Sequence, residues 1–149
     1  MDMNINVTND APIVQHRDYE NEIFTILRGN LSPKLKKEQV LAYHENDIAA
    51  AMELLDTKER VKLYSILGAE AFANVLEYSE NINEYISELT LKRKLLVIAE
   101  LEASTASDYL AELEEDERKN LVELLDEETK QDILDMWHYD RDFACCKAC

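Results

Sequence analysis

Cys145-Cys146-x-x-Cys149, with His138 seven residues upstream of Cys145, has the residue types of a tetrahedral zinc or iron-sulfur site, three thiolates and one imidazole. The motif stands at the end of the sequence, has no second cysteine pair and leaves few residues to wrap an ion. The expectation is therefore a short cysteine-containing tail over 143–149 with reactive thiols. A thiol nucleophile with a histidine base would lack a pocket in that position. His44-Glu45 has no second histidine at zincin spacing and is expected at a helix corner. Asp116-Glu117 and Asp126-Glu127-Glu128 are of the type used as acid-base carboxylates, but they fall at predicted helix starts, where the helix dipole favours negative charge. Tyr64, Tyr78, Tyr85 and Tyr109 read as core or groove-lining side chains. No nucleophile, base and pocket converge, so the chain is not expected to be an enzyme.

The 149 residues suit one domain, and 46% hydrophobic content supplies a core. Only Gly29, Gly68, Pro12 and Pro33 punctuate the sequence, too few for an all-β fold with many tight turns or for a glycine-rich phosphate loop. The net charge is −16, and residues 100–149 carry 16 acids against 5 bases. Such a field repels nucleic acid and an anionic bilayer and concentrates divalent cations or a basic partner. Apolar runs such as Leu95 to Ala99 are far short of the roughly 20 residues of a spanning helix. The opening MDMNINVTND lacks the basic and apolar regions of a secretory signal, which points to the cytosol and to reduced thiols.

The elements that would position any site read as helices. Residues 1–16 are polar, aperiodic and contain Pro12, and are expected to form a mobile leader. From Asp18 onward the period is helical. Tyr19, Ile23, Phe24, Ile26 and Leu27 make one stripe, Gly29 suits a left-handed position that ends it, and Ser32-Pro33 reads as an N-cap followed by proline at N1. Apolar clusters then recur every 11 or 12 residues from Ile48 to Trp137. Asp56 with Glu59 has capping-box spacing, and Ser79, Thr90, Ser104 and Asp126 are further candidate N-caps. Sliding the sequence by 58 residues superposes Glu59-Arg60 on Glu117-Arg118, Leu63 on Leu121 and Val75-Leu76 on Ile133-Leu134. What repeats is an inward-facing frame, so the prediction is an all-α solenoid of about ten short helices.

The segment YHENDIAAAMELLDTKERVKLYSILGAEAFANVLEYS resembles the opening of the cytosolic N-terminal domain of MgtE-type magnesium transporters, with its "D-A-A-hydrophobic", "L-D-P-E-E-R" and "A-A-E-V-L-E" frame. Met136 to Asp142 resembles that family's hand-over into paired CBS domains, and the likeness spans about 18 to 144. The resemblance implies a right-handed superhelix over 17–142, gated by magnesium that bridges acidic surfaces of this domain and the CBS domains. It carries over one metal residue, Asp108. Ser104 and Asn74 stand where the family has acids, and they bring oxygen without charge. The implied cofactor is Mg2+, weakly bound and shared with a partner. The implied partner is the CBS-domain or membrane-pore part of a transporter, or another protein, without nucleic acid and without direct membrane insertion. The chain is expected to lack the CBS and pore domains itself and to lie on the cytosolic side of the membrane. A helical-repeat adaptor that has lost ion sensing is the alternative.

Overall fold

The computed structural model describes the backbone from Asp18 to Ala148 and the side chains as far as Trp137. The expected leader over 1–16, His138 and the three cysteines lie outside the described side chains. Among the described residues there are ten helices and no strand: α1 (Tyr19–Arg28), α2 (Pro33–Val40), α3 (Glu45–Met52), α4 (Thr57–Leu67), α5 (Ala69–Leu76), α6 (Ile82–Ser87), α7 (Leu91–Glu100), α8 (Ala103–Ala111), α9 (Glu115–Leu124) and α10 (Glu127–Ala148). No described helix is long and apolar enough to cross a membrane.

Capping residues set the rhythm. Ser32, His44, Asp56 and Gly68 precede four successive helices at twelve-residue intervals, and Thr90, Glu102, Glu114 and Asp126 repeat that interval after a short α6. Asp56 and Glu59 close a full capping box: the Asp56 carboxylate accepts the Glu59 N–H at 2.8 Å, and the Glu59 carboxylate accepts the Asp56 N–H at 3.0 Å. Ser32 accepts from Leu35 at 3.3 Å with Pro33 following at N1, and Asp126 accepts from Thr129 at 3.0 Å. His44 stands at the corner before α3, where Nδ1 accepts the Asn46 N–H at 3.0 Å.

Three sequence expectations are corrected. Gly29 ends α1 in extended backbone, φ −77 and ψ −172, so no left-handed turn is needed there. The left-handed glycine is Gly68, φ 88, which turns α4 directly into α5 with no intervening loop. Ser79 caps a turn three residues before α6 begins, accepting the Asn81 N–H at 3.0 Å. Ser104 lies inside α8 rather than at its cap. The cap position is Glu102, whose N–H is accepted by Glu77 from the end of α5 at 2.8 Å.

Helices pack mainly on the second helix along: α1 on α3, α3 on α5, α5 on α7, α2 on α4 and α8 on α10. The 58-residue repeat is real at the level of structure. α3, α4 and α5 begin at Glu45, Thr57 and Ala69, and α8, α9 and α10 begin 58 residues later in each case. Ile48, Met52, Leu63, Leu67 and Val75 are buried, as are their counterparts Ala106, Leu110, Leu121, Leu125 and Ile133. Each fully buried aliphatic side chain stabilises the fold by roughly 1.5–3 kcal/mol, which a helix of two turns cannot obtain alone. α5 sits at the centre, with Phe72, Ala73, Val75 and Leu76 buried and the Phe72 ring edge-on to Tyr64 at 5.4 Å.

Arg60 ties three elements together. Its guanidinium donates to the carbonyls of Met52, at 3.2 Å, and Leu55, which close α3. It also grips Glu88 after α6 with two bonds, 2.9 and 2.6 Å, and lies 4.6 Å over the Tyr85 ring. Thr57 adds a hydroxyl to Glu88 at 3.0 Å. The repeat preserves half of this node, for Arg118 donates to Leu113 at 3.3 Å with the same five-residue reach.

Two outcomes are expected. A Cβ at Gly68 meets nothing within 4 Å, so Gly68→Ala costs only the left-handed backbone. It should lower stability by about 1–2 kcal/mol with an unchanged denaturant slope; an unchanged midpoint would contradict the assignment. The Arg60 guanidinium holds the Glu88 carboxyl below its ordinary value. Its stabilisation is therefore complete above the unfolded carboxyl's pKa of about 4.3 and is lost as pH falls through the lower folded value. Glu88→Gln should destabilise by roughly 2–3 kcal/mol at neutral pH, and the gap to the parent should close in acid. A gap that persists at the acid extreme would exclude this pair as its source.

Candidate functional site

The α5–α6 turn, α6 and α8 enclose a groove of about 520 Å³. Five carboxylates line it, Glu77, Glu80, Glu84, Asp108 and Glu112, and no cationic side chain does. α8 supplies Asp108 because its apolar residues Ala106, Tyr109 and Leu110 face the core, which turns Asp108 outward into solvent. Glu77 and Glu80 come from the polar stretch that breaks the chain between α5 and α6, and Glu84 comes from the first turn of α6.

The five carboxylates fall into two groups. Glu77 is committed to structure: it accepts the Thr105 hydroxyl at 2.6 Å and the Glu102 N–H at 2.8 Å, capping α8 from a different helix. Glu112 accepts from the Asn83 amide and so ties α6 to the end of α8. Glu84 lies 3.8 Å from the Arg60 guanidinium, at the margin of the Arg60–Glu88 node. Asp108 and Glu80 make no ion pair or hydrogen bond among the described residues. The groove therefore presents fixed carboxylates beside uncommitted ones.

The structure places Asp108, the metal residue that the family resemblance implies, on the exposed face of α8 among other acids. Glu112 joins it, whereas Glu115 and Asp116, acids of the same C-terminal third, lie in the first turn of α9 outside the groove. Glu115 is 3.6 Å from Lys119. Ser104 and Asn74 are exposed on α8 and α5 and do not line the groove. Glu77, Glu80 and Glu84 lie before the acidic excess that follows residue 99, and so are not marked by composition. Their available signal is the spacing of three acids across the gap between two helical stripes and the start of the second. Among the described residues no three histidine, cysteine, aspartate or glutamate side chains are gathered as a metal cage. The groove can attract hydrated divalent cations, and it lacks the ligands to enclose one.

Tyr109 forms the apolar wall behind Asp108 and is buried, 3% exposed. Burial pushes its phenol up to about 12, and the nearby Glu117 charge adds to the rise. The unfolded phenol ionises near 10, so the folded state holds the extra proton between those values and stability falls as pH rises through the interval. Tyr109→Phe should flatten this alkaline loss, measured as melting temperature against pH, and should remove the last tyrosinate to appear in an ultraviolet titration. An unaltered alkaline limb would show that another group is responsible.

The family model of the MgtE intracellular N domain matches residues 43–142. A solved structure described as "Crystal structure of the soluble part of a magnesium transporter" is similar in fold, with a TM-score of 0.72 and 24% identity. That likeness covers 82% of this chain and 49% of the solved one, so the chain spans about half the length of that structure. No curated protein matches. With two thirds of the sequence matched to the model, the chain belongs to the family of the MgtE intracellular N domain.

Proposed function

We propose that this chain is a magnesium-responsive regulatory domain of a magnesium transporter, acting on the cytosolic side of the membrane and sharing weakly held Mg2+ with a partner surface on the CBS-domain or pore part. The observation that carries the reading is the groove of five carboxylates with no lining cation. Its membership of the intracellular N domain family supplies the context.

Magnesium keeps most of its waters and needs only one or two carboxylates from each side. Asp108 and Glu80 suit that role because their oxygens are not engaged in the fold. Glu77 and Glu112 hold the flanking elements still while the ion exchanges. Apposed acidic surfaces repel until divalent cations fill the gap, so falling magnesium would let them separate. The role requires no bond-making chemistry, and the residues of the groove are not arranged for any.

Melting curves in MgCl2 and in NaCl of matched ionic strength test the reading. Magnesium should raise the melting temperature slightly beyond the screening effect of sodium, by an amount equivalent to less than about 1 kcal/mol of stability, because one domain supplies only part of each site. Asp108→Asn should reduce the magnesium-specific rise, and Asp18→Asn should not. Identical curves in the two salts would instead favour an interaction module without ion sensing, in which case partner capture would persist in EDTA.

A further inference from the structure

Lys36 is an anomaly in an acidic protein. It is buried in α2, 7% exposed, and its Nζ donates to the Leu27 carbonyl in the last turn of α1 at 2.8 Å. That bond uses one of three ammonium N–H groups. The negative end of α1 compensates part of the charge. No carboxylate among the described residues lies within ion-pairing distance of Nζ, and a buried ammonium without a counter-charge is unfavourable.

A half-open groove of about 400 Å³ adjoins it, between the end of α1, α2 and α4. Leu27, Leu63 and Ile66 give it apolar walls. Arg28 and Lys62 stand with Lys36 around it. Lys62 is exposed and makes no ion pair among the described residues. Arg28 reaches across to Glu59 at 2.6 Å, and Glu59 is itself held by the capping box of α4. Three cations around an apolar cleft, with one acid already committed to helix capping, leave positive charge to be matched. The volume lies within the range of about 300–1,000 Å³ typical of small-molecule sites.

We propose that this groove binds a small aliphatic carboxylate, the carboxylate meeting Lys36, Arg28 and Lys62 and the apolar stem lying on Leu27, Leu63 and Ile66. It is separate from the acidic groove and does not depend on the magnesium reading.

The test is a titration of the isotopically labelled 149-residue protein with octanoate and, in parallel, with 1-octanol, followed by amide chemical shifts in EDTA without magnesium. Octanoate should give saturable shifts at Leu27, Arg28, Lys36 and Ile66, and octanol should bind about tenfold more weakly for want of charge-assisted hydrogen bonds. Lys36→Met should cut the preference for octanoate to about threefold or less, the part left to Arg28 and Lys62. Should that variant fail to fold, Lys62→Gln decides, since Lys62 is exposed: octanoate binding should weaken roughly threefold with octanol unchanged. Octanol binding as tightly as octanoate, no saturable shifts, or an unaltered octanoate affinity in Lys62→Gln would each overturn the proposal.

Discussion

A helix of eight to eleven residues leaves nearly as many backbone groups unpaired at its two ends as it satisfies within. Nine of the ten described helices have eleven residues or fewer, and this constraint governs the rest of the structure. Every end must find a partner nearby, and every apolar face must be covered by another helix. The twelve-residue spacing of the caps is the repeat this demands, about eight residues of helix and a corner. Where a local cap is missing, a distant side chain supplies it. Arg60 closes the end of α3 from α4, Lys36 closes α1 from α2, and Glu77 opens α8 from the end of α5.

The same constraint shapes the charge. Acidic residues collect at helix starts because the dipole favours them there, as with Glu115, Asp116 and Glu117 in the first turn of α9. Stacking then brings the polar breaks between helices onto common edges. The acidic groove forms at one such edge, where the α5–α6 break meets the solvent face of α8. The basic cleft near α1 forms at another, where the start of α4 meets Lys36. Neither needs a contiguous motif, since each draws residues from breaks and faces well separated in sequence.

This explains what could be read without coordinates. The helical class, the Asp56 capping box, the Ser32-Pro33 start and the 58-residue frame are local or periodic, and each was legible. Gly29 and Ser104 were misread for one reason: a residue type common at caps does not fix the backbone angle or the helix boundary. Gly29 is extended, and α8 begins one residue before Ser104 because Glu77 caps it from elsewhere. Tyr64, Tyr85 and Tyr109 are in the core, as expected, whereas Tyr78, expected with them, is 51% exposed and edge-on to His44 at 5.4 Å. Asp108 entered as a candidate through the family frame alone, since no local pattern marks it. Its neighbours Glu77, Glu80 and Glu84 come from the α5–α6 break and the start of α6, 24 to 31 residues earlier, and only stacking brings them together.

The incompleteness of the acidic groove bears directly on the proposed regulation. An ion that bound this domain alone as well as it bound the domain joined to its partner would shift no equilibrium, however tight the binding. A closed cage of carboxylates would be such a site. Under that proposal, a groove offering only the uncommitted oxygens of Asp108 and Glu80 would leave the remaining ligands of a hydrated cation for the partner to supply. Affinity would then depend on whether the two surfaces are together, and that difference would be the free energy available for the proposed gating. The hydrogen bonds of Glu77 and Glu112 contribute by holding α6 and α8 in place, so that binding moves whole surfaces rather than single side chains.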